Sequence, residues 1–178
     1  TMGAHAQQVI SVSGSEVVVR TVAIVVTNCT DVTGPTQLVN IESGDSATGP
    51  SFTYRVPRPL FFSVSPFGGP QGGNTAVTIT GANFASNMIV DFIIGGTAFT
   101  GNVTSSTSST IAVRSPAIPS TALATETCDD NGNPIPPDPT PDPDGERYLP
   151  ATANVRITDP ATGCTATLNG VFTFSPTD

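Results

Sequence analysis

The sequence predicts an all-β fold in which two sheets pack face to face as a β-sandwich. The first observation is the run 77–80, where Val77 and Ile79 alternate with threonines, as in a strand with one buried face. An apolar strand at 60–64 precedes it across a turn at 66–73 that is dense in Gly and Pro. Two such strands need another sheet to cover their apolar face. No stretch of useful length has helical periodicity, so we expect no helices.

The first third of the chain contains short strand signals separated by polar turns. The two longest interruptions are a loop at 27–35 and a turn at 43–50. Pro57 and Pro59 then flank Arg58 as a stiff linker, where we place a domain boundary. The strands predicted before this linker are 9–12, 16–20, 23–26, 37–42 and 51–56.

The chain after the linker continues with strands until it meets an irregular segment. Residues 120–150 are rich in proline and carry no strand pattern of useful length. Strand signals resume after them and continue close to the end of the sequence. Beyond the two strands named above, the predicted strands are 88–94, 97–103, 110–114, 153–158 and 170–174.

An internal repeat relates the two parts of the chain. Three segments recur in the same order, and Arg20 aligns with Arg114 in the first of them. Matches in one order predict the same supersecondary unit twice. We therefore expect residues 1–57 to be the C-terminal half of a preceding copy, and residues 58–178 to be a complete domain with an acidic, Pro-rich insertion at about 126–148. The matched segments are 17–24 with 111–118, 38–44 with 153–159, and 51–57 with 171–176.

The half-copy raises the question of what covers its apolar face. Nothing before Val17 corresponds to residues 60–96, which supply half of the sandwich in the complete copy. An uncovered sheet leaves apolar side chains wet and edge backbone groups unpaired. The half-copy could pack on the complete domain, lack order, or take strands from elsewhere. We favour completion by another chain or by an upstream segment, as in strand addition.

The complete copy also carries a diffuse but long family motif. Its residues are Pro59, Ser65-Pro66, Gly68-Gly69-Pro70, Gly72-Gly73, the runs 77–84 (VTITGANF) and 90–92 (VDF), Gly95-Gly96 and the closing 172–174 (FTF). This motif resembles the IPT/TIG family of immunoglobulin-like domains over residues 59–176. The resemblance implies an early-set immunoglobulin β-sandwich. Such domains occur in bacterial surface proteins, plexin-type receptors, polysaccharide enzymes and some DNA-binding factors; the insertion at 126–148 departs from the family pattern.

Charge excludes several classes of partner. The net charge is -8, all six basic residues are Arg, and Lys is absent. Nucleic acids and anionic membranes both need a cationic face, which six scattered arginines do not make. No apolar run is long enough to cross a membrane. An acidic, lysine-free, Ser/Thr-rich composition is typical of secreted or surface-displayed proteins, so we expect an extracellular or cell-surface location.

The three cysteines predict one disulfide. Cys128 and Cys164 lie in the same predicted domain, and in an oxidising compartment we expect a bond between them. Cys29 is then left over, either with a partner outside this chain or as a free buried thiol. A zinc site is disfavoured, because the cysteines lack a close pair and the chain has one His.

The acidic insertion contains a candidate calcium site. Asp129, Asp130, Asn131 and Asn133 offer closely spaced oxygen ligands of the kind that calcium takes. The segment lacks the glycine that an EF-hand has at its sixth position, where Pro134 stands. The alternative is an extended, polyproline-type loop kept soluble by its charge. Calcium is the only cofactor that the sequence suggests.

No residue is predicted to be catalytic. The glycine run 68–73 lacks the Lys of a phosphate-binding loop, and His5 has no nucleophile nearby in the sequence. We therefore expect a structural or adhesive module whose partners are other domains or copies, or a protein or glycan ligand. The alternative is a carbohydrate-binding accessory of a polysaccharide-active enzyme. That role favours coplanar exposed aromatics, and the chain has no Trp and two Tyr, Tyr54 and Tyr148.

Overall fold

The structure is all-β, as the sequence predicts. A computed structural model describes residues 1–2, 5–126 and 147–176 of the chain. Over these residues the regular structure is β-strand, apart from a single-turn 3-10 helix at Ser120–Ala122. In the described part of the chain, no helix has the length and apolar character needed to cross a membrane.

The chain divides into two compact units. The first comprises Thr1–Pro57 together with Ala161–Gly163, and the second comprises Arg58–Pro160 together with Cys164–Asp178. The strands of the first unit are β1 (Gln8–Val12), β2 (Val17–Arg20), β3 (Val32–Val39) and β4 (Ser46–Tyr54). The strands of the second unit are β5 (Leu60–Ser65), β6 (Gly68–Pro70), β7 (Ala76–Ala82), β8 (Ile89–Ile94), β9 (Thr97–Thr100), β10 (Asn102–Ser106), β11 (Thr110–Arg114), β12 (Ala124–Glu126), β13 (Arg147–Leu149), β14 (Ala151–Thr158) and β15 (Thr165–Ser175).

The second unit is a sandwich of two sheets. One sheet has the strand order β10-β11-β7-β5 and the other has the order β6-β15-β14-β8-β9, while β12 and β13 form a small separate hairpin. Apolar side chains from both sheets form one continuous core. Among its largest fully buried members are Phe92, Phe172, Phe174, Ile79, Ile111 and Ile157.

Strand β7 shows why alternation produces this sandwich. Val77 and Ile79 are 1% and 0% exposed, whereas Thr78 and Thr80 on the other face are exposed. Successive side chains of a strand point to opposite faces, so one face of β7 lies in the core and the other in water. The strand pairs with β5 on one edge and β11 on the other, both antiparallel. The sequence prediction for this stretch is confirmed.

Three phenylalanines form the centre of the core. The ring centroids of Phe92 and Phe172 are 5.0 Å apart, and those of Phe172 and Phe174 are 4.9 Å apart. The interplanar angles of 74° and 65° are those of edge-to-face packing, the arrangement that aromatic quadrupoles favour. These contacts join β8 to β15 across the intervening strand β14.

The Gly- and Pro-dense segment at 66–73 is more than a turn. Its residues Gly68–Pro70 form β6, which pairs parallel with the end of β15 in the opposite sheet. The chain therefore crosses from one sheet to the other between β5 and β7. A Cβ on Gly68 would lie 2.7 Å from the Thr173 carbonyl oxygen, so a glycine permits this close approach.

Gly73 closes the same segment in a conformation that requires glycine. Its φ is +77°, and a Cβ there would lie 2.5 Å from the backbone of Pro116 and Ala117. Neither neighbour is a flexible side chain tip, so the contact can be relieved only by moving the backbone.

The first unit consists of two hairpins. Strand β1 pairs with β2, and β3 pairs with β4, all antiparallel. The predicted loop at 27–35 ends earlier than expected, because β3 already begins at Val32. Pro35 is accommodated next to a bulge in β3, a position where a residue without an N–H group is tolerated. The predicted strand at 23–26 is wrong, since these residues have no strand partner.

The disulfide differs from the predicted one. Cys29 and Cys164 are bonded to each other, so the predicted bond between Cys128 and Cys164 is wrong. Cys128 lies outside the described residues. The Cys29 N–H group also donates a hydrogen bond of 2.7 Å to the carbonyl oxygen of Thr162. The turn before Cys164 is thus held at the loop that contains Cys29, which sequence separation did not indicate.

We expect Gly73→Ala to lower the free energy of unfolding by about 1–3 kcal/mol or more. The new side chain would meet backbone atoms, at a residue whose φ is positive. The measurement is chemical denaturation of the purified chain. Gly72→Ala is the matched control: a Cβ at Gly72 meets nothing within 4 Å, and its φ lies outside the positive range. Equal denaturation midpoints for the two variants would contradict the close approach of Gly73 to the backbone of Pro116 and Ala117.

We expect peptide mapping without reductant to recover a peptide that links Cys29 to Cys164. Replacing Cys29 with Ser should lower the melting temperature, because a crosslink over a loop of more than 100 residues contributes about 4–5 kcal/mol in the chain-entropy model. Cys128→Ser should leave the linked peptide in place. Recovery of a peptide that links Cys128 to Cys164 would overturn the pairing.

Candidate interaction site

The predicted calcium ligands are not among the residues that the structure describes. Asp129, Asp130, Asn131 and Asn133 all fall in the undescribed range 127–146. Within the described ranges, no three His, Cys, Asp or Glu side chains come together as metal ligands would. The calcium site therefore stays a prediction.

A different feature emerges from the two hairpins of the first unit, because one of them occurs again in the second unit. Adding 94 to a residue number of β1–β2 gives its counterpart in β10–β11. The pair Gln8 with Arg20 becomes the pair Asn102 with Arg114, and every further pair follows the same shift. Each hairpin has a bulge after its second residue pair. Their registers are identical.

The turns of these hairpins are also the same. The N–H group of Ser13 donates to the carbonyl oxygen of Glu16 at 2.8 Å, and that of Thr107 donates to Thr110 at 2.8 Å. The hydroxyl oxygens of Ser13 and Thr107 accept the return hydrogen bonds, at 3.1 and 3.0 Å. Short hydroxyl side chains bond their own backbone in this way, so the turn is specified locally.

The other hairpin, β3–β4, has a turn like that of β14–β15. The N–H group of Asn40 donates to the carbonyl oxygen of Asp45, and that of Asp159 donates to Cys164, both at 2.8 Å. The structure thereby sets Asn40 against Asp159, whereas the sequence comparison set residues 38–44 against 153–159. That alignment was wrong by four residues. An even shift keeps every side chain on its face, so the alternating pattern alone could not fix it.

The two hairpins of the first unit line an apolar groove with a volume of about 420 Å³. Val17 and Val19 contribute from β2 and are half-buried. Leu38 contributes from β3 and is 52% exposed. Residue Met2 forms an isolated bridge with Thr36 at one edge of β3. The aliphatic side chains along the groove are Val9, Val17, Val19, Leu38 and Val39.

The same positions are buried in the second unit. Ile111 and Val113, the counterparts of Val17 and Val19, are 0% and 2% exposed. By contrast, Val56 is the one buried large hydrophobic among the described residues of the first unit. The large hydrophobics exposed in the first unit are Val9, Ile10, Val12, Val18, Val22, Val25, Leu38, Val39 and Ile41. Three of these residues, Val9, Leu38 and Val39, line the groove, which is therefore the candidate interaction site.

Arg20 is the last residue of β2. Its counterpart Arg114 donates from Nη1 to the carbonyl oxygen of Asn74 at 3.0 Å, just before β7 begins. Arg20 is exposed, and no described residue accepts a hydrogen bond from its side chain. The two arginines therefore hold the same place in their hairpins, one with a backbone carbonyl against it and the other open to solvent.

A polar row crosses the outer face of the larger sheet of the second unit. Arg156 Nη2 lies 2.8 Å from Asp91 Oδ2, and Thr100 donates from Oγ1 to Asp91 Oδ1 at 2.8 Å. The three residues occupy facing positions on β14, β8 and β9. Asp91 points away from the core, as predicted, but it is only 7% exposed because its neighbours cover it. A carboxylate satisfied on both oxygens is a sheet-stabilising pair rather than a free ligand.

The sequence analysis missed two of these features, the repeat of β1 and the disulfide. It aligned Arg20 with Arg114 but did not extend the match back to β1. The signal for β1 was a hydroxyl residue at the same distance before each arginine, Ser13 before Arg20 and Thr107 before Arg114. It also missed the pairing of Cys29 with Cys164, for which the sequence holds no signal.

Comparison with known proteins identifies the second unit. The model of the family described as IPT/TIG domain matches residues 59–139, which include β5 to β12. Strands β14 and β15, which complete the sandwich, follow the matched range. No curated protein matches the chain. IPT/TIG domains are non-catalytic, immunoglobulin-like modules found mostly in extracellular and structural proteins. With its motif, its two-sheet core and the family match in agreement, the chain carries an IPT/TIG immunoglobulin-like domain in its second unit.

Proposed function

We propose that this chain is a non-catalytic structural or adhesive module of a cell-surface or secreted multi-domain protein. Within it, residues 1–57 are the C-terminal half of a second IPT/TIG domain, completed by strands from another chain or from an upstream segment. The observation that carries this proposal is the hairpin β1–β2, which repeats the register, bulge and turn of β10–β11.

Composition and covalent chemistry support the extracellular part of the proposal. IPT/TIG domains are typical of extracellular and cell-surface proteins. The disulfide between Cys29 and Cys164 fits an oxidising compartment. The net charge of -8 with no Lys gives no cationic face for nucleic acid.

The disulfide also suggests how such a module would respond to tension. Covalent bonds carry a pulling force along the shortest chain path, which runs from residue 1 to Cys29, across to Cys164 and on to residue 178. Residues 30–163, with almost the whole IPT/TIG domain, lie off that path. The disulfide would therefore limit how far an oxidised module extends in an array under load, because residues 30–163 carry none of the tension.

A second candidate, carbohydrate binding, is favoured by two exposed aromatic rings. Phe62 is 63% exposed and Phe67 is 72% exposed. The tyrosines are less suited to a flat platform. Tyr54 packs edge-on against Phe52, and Tyr148 is partly buried against the core. This candidate therefore rests on the two phenylalanines.

Single-molecule force spectroscopy between the chain ends tests the structural role. We expect the oxidised chain to extend by about 150 Å, because only about 40 residues lie on the force path, and the reduced chain to extend by about 600 Å. The reduced chain should unfold in a distinct force step, since its sandwich must shear apart. Full extension of the oxidised chain, or reduced chains that extend without a step, would contradict the role.

Gln71 offers a matched pair of variants for the same measurement. Its N–H group donates to the Ser175 carbonyl oxygen at 2.8 Å, next to the parallel pairing of β6 with β15. Gln71→Pro removes that donor and should lower the unfolding force of the reduced chain, whereas Gln71→Ala keeps the donor and should not. Equal forces would exclude this pairing as the element that resists tension.

Affinity electrophoresis in polysaccharide gels tests the second candidate. We expect the wild-type chain and the double variant Phe62→Ala, Phe67→Ala to migrate alike, because an adhesive spacer needs no glycan platform. If a polysaccharide retards the wild type and not the variant, the carbohydrate-binding function replaces the first proposal.

A further inference from the structure

The inference concerns the free edge of β2 in the first unit. In the second unit, the corresponding strand β11 pairs with β10 on one edge and with β7 on the other. Strand β2 pairs with β1, and no described strand pairs with its other edge. Because the two hairpins share one register, the backbone groups along this edge repeat those that β7 meets on β11.

Alternate side chains of such a strand would lie on the same face of the sheet as Val17 and Val19, which line the groove. On β11, Val113 lies opposite Val77 and Ile111 lies opposite Ile79, and all four are at most 2% exposed. The same shift of 94 places Val19 and Val17 opposite the corresponding apolar residues of an added strand.

The pairing of β11 with β7, together with the contact of Arg114, indicates the direction of the added strand. Arg114 holds the carbonyl oxygen of Asn74, two residues before β7 begins, and the strand then runs antiparallel to β11. Arg20 is placed to hold the equivalent carbonyl, with its positive charge at the negative end of that dipole. The segment Ala76–Ala82 carries no charge of its own, so its pattern suits an apolar groove.

We propose that β2 accepts, antiparallel, an extended strand with the pattern of β7, whose alternate apolar side chains fill the groove and whose preceding carbonyl is held by Arg20. This deepens the proposed function and rests on it. The donor is a polypeptide segment outside residues 1–178, because the β7 of a folded second copy is already paired on both edges, with β11 and β5. Main-chain hydrogen bonds supply the binding, and the alternation supplies the selectivity.

A labelled peptide with the sequence of residues 74–84 is the direct probe. Added to the full oxidised chain, it should bind saturably and slow amide exchange at Val17–Arg20. A peptide with Ile79→Asp should not bind, because its charge would enter the groove. In the chain, Arg20→Ala should weaken binding about tenfold. Arg55→Ala is the matched control, since it removes an exposed arginine of the same unit and should leave binding unchanged.

If the peptide binds too weakly to be measured, the same strand can be fused covalently to the chain. Residues 59–100 are placed before Gln7, in place of residues 1–6, because residue 101 of the second unit corresponds to residue 7 under the shift of 94. Exchange at Val17–Arg20 should slow about tenfold or more, and Ile79→Asp in the added segment should abolish the effect. Unchanged exchange in the fusion would overturn the proposal.

Two further outcomes are decisive. If the wild-type chain alone dimerises in light scattering and protects β2, a second copy is the occupant and the proposal is wrong. If exchange slows only within the second unit, the peptide has another site and the proposal is also wrong. The force measurement is made without peptide, so failure of the structural role and failure of strand addition are separately visible.

Discussion

The covering of an apolar sheet face is the constraint on which this structure depends. In the second unit, Val77 and Ile79 meet side chains from the opposite sheet, and the three core phenylalanines pack edge to face behind them. Each such side chain contributes about 1.5–3 kcal/mol when fully buried. A few of them match the whole stability of a small domain. The described part of the first unit has only one hairpin to match each sheet, and there the corresponding valines line an open groove.

The paired hairpins show how much of a sandwich is specified locally. Strands β1–β2 and β10–β11 share register, bulge and turn although most of their side chains differ. The hydroxyl residue that begins each turn and the apolar residues at alternate positions are what they have in common. A hairpin of this kind forms from its own sequence, whereas burial of its apolar face depends on strands from elsewhere in a domain.

The covalent and polar features add constraints of a different kind. The bond between Cys29 and Cys164 ties residues that are far apart in sequence and limits how far the chain extends. On the outer face of the larger sheet, Asp91 is held by Arg156 and Thr100 across three strands. These contacts fix the alignment of β14, β8 and β9 without using the core. Both constraints act within the chain, so neither depends on a second protein.

The sequence by itself determined the class of fold, the strands with clear alternation and the family of the second unit. Val77, Ile79, Val90 and Phe92 were assigned to the buried face from period-two alternation, which follows from backbone geometry alone. The repeat was also visible, with Arg20 on Arg114. Strands such as β3 and β6 escaped prediction because their Gly and Pro residues read as turns, and only pairing with a partner strand made them strands.

Tertiary structure alone decided the disulfide, the register of the second repeated hairpin and the groove. A cysteine pairing depends on which loops meet in space, and sequence separation favoured the wrong partner for Cys164. An even shift of register leaves alternation intact, so residues 38–44 could be aligned four positions away without conflict. Among the described residues, the groove and the free edge of β2 exist because two hairpins meet without counterparts of the strands that cover β10–β11 and β14–β15. That absence is a property of the assembled unit rather than of any one segment.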